Sequence, residues 1–235
     1  MLHRILLVAL LAGGLTGAAI SAFQALWPAP LILAAETYEN AGSAAAGHDH
    51  QTPDATTAAH SHGEEAWAPA DGFERLFWTF MANVLLGLGG SLVLAAIFSL
   101  RQTNGAAVGL IWGVAVFAAI SLAPALGLPP ELPGTDAAAL ESRQLWWAAT
   151  AILTAAGLAC FAFAGPVWAK ALGLPLMLLP HVIGAPHPET HSALAPAALQ
   201  HQFVIAALLT SALFWASLGA MTGFFARKLE IGVRL

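Results

Sequence analysis

LFWTFMANVLLGLGGSLVLAAIFSL, residues 76–100, carries no charged side chain, and Asn83 is its one strongly polar group. A helix rises about 1.5 Å per residue, so this stretch is long enough to pass the roughly 30 Å hydrocarbon core of a bilayer. RQTNG (101–105) follows, and then a second apolar run, AAVGLIWGVAVFAAISLAPAL (106–126). Two such runs joined by a short polar turn read as two successive membrane spans, because inside lipid the backbone must satisfy its own hydrogen bonds.

Working outward, the pattern repeats. Toward the N-terminus, Ile5 to Leu33 lies behind His3 and Arg4. A secretory signal also starts with a basic residue, and Ala22 to Ala25 resembles a weak cleavage site. The apolar part of a signal is only about 7–15 residues, however, so this run is expected to be a retained span. Toward the C-terminus, GLPPELPG (127–134) is too rich in proline to continue a helix. Residues 145–164 form the next span, opening at Trp146-Trp147 in the manner of an interfacial aromatic belt. Gly165-Pro166 breaks it. A shorter segment, 167–183, contains Lys170, Pro175, Pro180 and His181, and a last span covers 203–225 ahead of Arg227, Lys228 and Arg234.

Composition agrees. The chain has 235 residues, 58% hydrophobic and only 9% charged, with a mean hydropathy of +0.74, whereas a soluble domain carries about a quarter charged residues. The expected fold is all-α: one polytopic membrane domain over 1–235 with five to six transmembrane helices, six preferred. Eight Lys and Arg against thirteen Asp and Glu leave a net charge of −5 and no basic face for nucleic acid. Cys160 is the only cysteine, so neither an intrachain disulfide nor a thiolate metal site can form.

Orientation follows from the basic residues. With six crossings and a cytoplasmic N-terminus, Arg4, Arg101, Lys170, Arg227, Lys228 and Arg234 fall inside and only Arg75 and Arg143 outside. Every acidic residue but Glu230 then lies outside. If 167–183 is re-entrant, five crossings result and the basic C-terminus is exported, which the positive-inside rule disfavours. Both termini are therefore expected in the cytoplasm. In either case residues 36–72, a polar and flexible loop, are extracytoplasmic.

That loop holds four of the nine histidines, His48, His50, His60 and His62. Imidazoles two residues apart on a flexible chain can chelate one ion, and without cysteine the preference is for Co, Ni, Zn or Cu(II). A solvated linker that happens to be rich in histidine is the alternative. A second group, His181, His187, Glu189, His191 and His201, surrounds the break before the last span. Pro186 and Pro188 argue against a helical zinc-protease signature there, and an interfacial structural role for His181 stays open. Glu36 and Glu39 lie three apart at what looks like the end of the first helix, where the helix dipole disfavours acids, so cation attraction is their candidate role. Asp71 and Glu74 open the second helix, where the dipole favours them. Glu74 and Asn83 are also candidates for the ion path, although interhelical hydrogen bonding explains Asn83 more simply. Gly13-Gly14, Gly17, Gly87, Gly89 and Gly90 mark faces for close helix approach. No Walker, serine-triad or dinucleotide sequence is present.

Several of these pieces, taken in order, carry a resemblance: PLILAAETYE (30–39), the His-bearing acidic loop, DGFER (71–75) with Asn83, GLPPELPG (127–134), RQLWW (143–147) and PHVIGAP (180–186). Over nearly the whole chain the set resembles the CbtA family of cobalt transporter subunits. The resemblance implies a bacterial inner-membrane protein of five or six spans serving cobalamin-linked cobalt uptake. It also implies a small membrane partner, the CbtB subunit, with its own histidine motif.

The leading expectation is therefore transport of Co2+, or of Ni2+ or Zn2+, with no tightly bound cofactor and no enzymatic activity. His48, His50, His60 and His62 would gather the ion, and Glu36, Glu39, Glu74 and Asn83 would attract and pass it. His181, His187 and His191 would complete a site. A non-transporting subunit that hands metal to a partner is the second reading. An intramembrane metalloenzyme is the third, weakened by histidines that sit on loops.

Overall fold

The computed structural model describes residues 2–46, 69–190 and 192–231. Its helices are α1 (Leu2–Leu26), α2 (Pro28–Ala46), α3 (Phe73–Arg101), α4 (Ala106–Ala125), α5 (Leu140–Phe163), α6 (Val167–Ala171), α7 (Gly173–Ile183) and α8 (Ala197–Lys228). Five of them, α1, α3, α4, α5 and α8, are long and apolar enough to cross a membrane. Apart from helices, the described residues hold one isolated bridge, Thr135 to Ala193.

The run expected to be one helix from Ile5 to Leu33 is two. Trp27 interrupts it, because proline disfavours the helical conformation of the residue before it, and α2 restarts with Pro28 at its first position. Glu36 consequently sits in the interior of α2 rather than at a helix C-terminus. The dipole conflict read from the sequence at Glu36 does not arise, and its environment has a different cause, given below. Within α4, residues Ala118–Leu122 form a π-helical turn. Pro124 lacks the N–H that would continue the α ladder, and a widened turn just before it accommodates the loss.

In lipid, helices gain little from apolar burial against one another, so association depends on close packing of small residues. The two tightest contacts here are of that kind. Gly13 and Gly17 of α1 lie directly on the backbone of Gly87 and Val84 in α3. On the other side of the bundle, Gly109 of α4 meets the backbone of Gly219 in α8, and Gly113 meets Trp215. Both pairs are antiparallel. A third close contact, Gly157 with Gly173, packs α7 back along α5. Cores of Val8, Leu94, Phe98 and Ala226, and of Ile20, Phe214 and Leu218, fill the space between the pairs.

These packings sort the charges to two ends. At one end Arg4 reaches the Leu229 carbonyl (3.2 Å), and Arg101 stacks on Phe163 (3.9 Å to the ring centroid). At the other lie Glu36, Asp71, Arg75, Glu131 and Arg143, joined in ion pairs. From Phe163 the chain returns through α6 and α7 toward the acidic end, where Trp146 Nε1 donates to the Pro180 carbonyl (3.2 Å). Trp146 is thus buried in an interhelical contact, contrary to the aromatic-belt reading. Trp147, 45% exposed, is the member of the pair that fits that reading.

Candidate functional site

Between α1, α2, α3 and α8, at the acidic end, lies a cavity of about 820 Å³. The α1–α2 break creates it: α1 packs on α3, while α2 turns away at Pro28 and lays Pro30, Leu33 and Glu36 along one wall. Glu36 is a quarter exposed, and Arg75 Nη1 donates to both of its oxygens, at 2.9 and 3.2 Å. Arg75 Nη2 also lies 3.2 Å from Oδ1 of Asp71, one turn earlier and much more exposed. The carboxylate lining the cavity is therefore matched by a guanidinium, one of whose nitrogens is shared between its two oxygens in a charge-assisted contact while the other faces Asp71.

Deeper along the wall, Asn83 Nδ2 donates to Gln24 Oε1 (2.6 Å) and to Ser21 Oγ (3.0 Å). Asn83 thus forms the interhelical hydrogen bonds expected of it, and it also lines the cavity. Thr210 and Ser211 of α8 continue the polar surface. Ser211 Oγ lies 2.7 Å from Ser121 Oγ at the π-helical turn of α4. Ile20, Phe214 and Trp215 line the far part of the cavity, with Leu218 packed against them. Beyond this apolar floor, toward the basic end, a buried Ser91–Thr222 contact of 2.8 Å joins α3 to α8.

Of the residues singled out from the sequence, the structure brings Glu36 and Asn83 to this cavity. Glu39, half-buried one turn further along α2, is not among its lining residues. Glu74 does not line it either: its carboxylate accepts the Ala70 N–H (3.2 Å) just ahead of α3, a conventional place for an acid. His181 lies on the α5–α7 side of the molecule. Its Nδ1 is 3.1 Å from the Met177 carbonyl and its Nε2 3.0 Å from that of Ala123, so each ring nitrogen faces a backbone carbonyl, and a neutral ring donates to one of the two. The Trp146 ring meets it edge-on. His187 is exposed and borders smaller clefts beside Asp136. His48, His50, His60, His62 and His191 lie outside the described residues. Among the described residues, no three His, Cys, Asp or Glu converge in a group able to hold a metal ion.

Sequence reasoning did not single out Arg75, Gln24 or Ser21. Signals were present: Arg75 follows Asp71 by four, and Ser21 and Gln24 share a face of α1 at a spacing of three. What it could not give was their convergence on Glu36 and Asn83, which depends on the α1–α3 crossing.

No curated protein and no solved structure matches this chain. The family model described as "Probable cobalt transporter subunit (CbtA)" matches residues 2–227. That span takes in α1 through nearly all of α8, including every residue of the cavity, and the chain belongs to the CbtA family of probable cobalt transporter subunits.

Proposed function

We propose that this subunit moves cobalt(II), or a similar divalent ion such as nickel or zinc, inward across the bacterial inner membrane, and that the Glu36–Asn83 cavity is the outer half of the path. The observation that carries the reading is the cavity itself: one carboxylate at its mouth, paired with Arg75, amide and hydroxyl groups along its wall, and an apolar floor. A partly hydrated cation can enter such a space, meet one negative charge and pass along neutral oxygens without being held, as conduction requires. The basic end is then cytoplasmic by the positive-inside rule. Six crossings fit this best. Arg4 and Glu230 are neighbours at 3.6 Å, which supports an even number of crossings. At 17 residues, Val167–Ile183 is at the lower limit of roughly 17–25 for a helical span.

The four loop histidines act in this scheme as an antenna that raises the local ion concentration. An inside-negative potential of about 100 mV favours entry of a divalent ion by about 4.6 kcal/mol, at roughly 2.3 per charge, so no nucleotide site is needed. The small partner subunit and the link to cobalamin synthesis rest on the family resemblance alone.

The test is cobalt accumulation in cells carrying Glu36→Ala, with protein level checked in the membrane fraction. Loss of accumulation at normal protein level is expected, and unchanged uptake would remove the cavity from the path. Purified protein in liposomes separates transport from delivery to a partner. Flux in the protein alone supports transport by this chain, and its absence favours the delivering subunit.

A further inference from the structure

We infer that Arg75 sets the valence selectivity of the cavity, as a tethered monovalent cation that already occupies Glu36. This deepens the transport reading and rests on it.

Glu36 projects into the cavity with its two oxygens 2.9 and 3.2 Å from Arg75 Nη1, and Arg75 lines the same cavity. A cation that takes both oxygens of this carboxylate competes with the guanidinium nitrogen that they share. Sodium and potassium bring the same single charge without its directed hydrogen bonds. They also compete against a group fixed to the next helix, whose effective concentration exceeds that of a free solute. Monovalent ions therefore lose the exchange even when abundant. A divalent ion at the same distance is attracted twice as strongly, because the Coulomb energy scales with the product of the charges.

The second half of the device is Asp71. Its Oδ1 lies 3.2 Å from Arg75 Nη2, and at 75% exposed it sits outside the cavity, on the solvent side. When an ion takes Glu36, Arg75 keeps a carboxylate and is not left unpaired at the mouth of an apolar cavity, which would be costly. Ion entry thus becomes a transfer of Arg75 from a shared position between two acids to Asp71 alone.

The experiment is initial-rate cobalt(II) uptake by cells expressing wild type, R75Q, D71N or E36Q. Sodium chloride is varied from about 10 to 200 mM, with ionic strength held constant by N-methylglucamine chloride so that screening does not change. Wild-type uptake at low cobalt should change little across the series. R75Q, at equal membrane level, should take up cobalt but lose at least about threefold of its rate at high sodium, because the bare carboxylate now binds sodium. In D71N, Arg75 has only Glu36 to hold, so the half-saturating cobalt concentration should rise about three- to tenfold with the maximal rate and sodium indifference preserved. Equal sodium dependence in R75Q and wild type would overturn the inference, as would an R75Q protein present at normal level but inactive. If R75Q does not accumulate in the membrane, D71N decides: an unchanged half-saturating concentration overturns the proposal. E36Q keeps the two readings apart. Normal uptake in E36Q defeats the transport path itself, whereas inactive E36Q with sodium-indifferent R75Q defeats only the selectivity role of Arg75.

Discussion

Two carboxylate–guanidinium pairs stand at the acidic end of the molecule, and by local geometry they are near twins. Glu36–Arg75 measures 2.9 Å with the side chains 25% and 35% exposed, and Glu131–Arg143 measures 3.0 Å with 26% and 32%. Their surroundings differ. Glu36 and Arg75, 39 residues apart, come from α2 and α3 and front a cavity whose polar lining runs inward through Asn83 to Ser211. Glu131 and Arg143 are 12 apart, line a smaller cavity of about 460 Å³ that also reaches Ser121 and Ser211, and fasten the GLPPELPG loop to the first turn of α5. There Gln200 completes the fastening: its amide donates to the Pro130 carbonyl (2.7 Å) and its carbonyl accepts the Leu132 N–H (3.0 Å). Both pairs thus open on a cleft that reaches Ser211. What sets Glu36–Arg75 apart is that it joins two helices over the larger cavity, with Asn83 behind it, whereas Glu131–Arg143 fastens a loop.

The sharpest way to break this comparison is to neutralise each acid in turn. Glu36→Gln should reduce cobalt uptake to background, while Glu131→Gln should leave uptake per folded molecule within about twofold and cost about 1 kcal/mol of stability. Thermal unfolding in detergent, run beside the uptake assay, reads both. If Glu131→Gln proves the more damaging to uptake, the two regions have been assigned the wrong way round.

The amides one layer in give a second contrast. Asn83→Leu removes two interhelical hydrogen bonds at a cost near 1 kcal/mol and should also slow uptake about tenfold, by taking a polar group out of the proposed ion path. Gln200→Leu leaves a backbone N–H and a carbonyl without their partner, costs about 2 kcal/mol, and should change unfolding temperature without changing uptake per folded molecule.

A smaller effect is expected from the loop histidines. Replacing His48, His50, His60 and His62 with alanine should raise the half-saturating cobalt concentration a few-fold while the maximal rate persists, since the proposed antenna alters supply and not passage. Complete loss of uptake would move the site from the cavity to the loop.

The smallest effect concerns Asp136, outside the bundle, which holds the connection before α8 to the loop before α5. The Ser192 hydroxyl, and then that of Thr190, donate to its carboxylate at 2.8 and 3.1 Å and hold its pKa below the ordinary 3.8. A lowered carboxylate pKa stabilises the fold above the ordinary value, and that contribution is lost as the pH falls through the lowered one. Protease nicking within residues 184–196 should therefore be flat from about pH 8 to 5 and rise only in stronger acid. Asp136→Asn should be nicked somewhat faster across the same range. A rise near neutrality in wild type would point to another group.

The main helices were legible in the sequence because the bilayer leaves so few solutions. The 76–100 and 106–126 runs and their five-residue turn appear as α3 and α4 with only small shifts at the ends. Apolar length is sufficient there, since any spanning segment must satisfy its own backbone. The α1–α2 break was less legible: Pro28 is visible, but hydropathy continues through it to Leu33. That break decides the site, because it turns Glu36 from a helix end into a cavity wall.

By itself, then, the sequence determined an all-helical membrane protein, its charge asymmetry, its glycine faces and the chemical character of Glu36 and Asn83. These depend on local composition and on helical period, which a single chain records directly. Only the tertiary structure decided that Arg75 holds Glu36, that Ser21 and Gln24 meet Asn83, and that His181 lies between two backbone carbonyls on another side of the bundle. Those pairings depend on which glycine faces cross and at what height, and that is set by the packing of α1 on α3 and α4 on α8 together, not by any one segment.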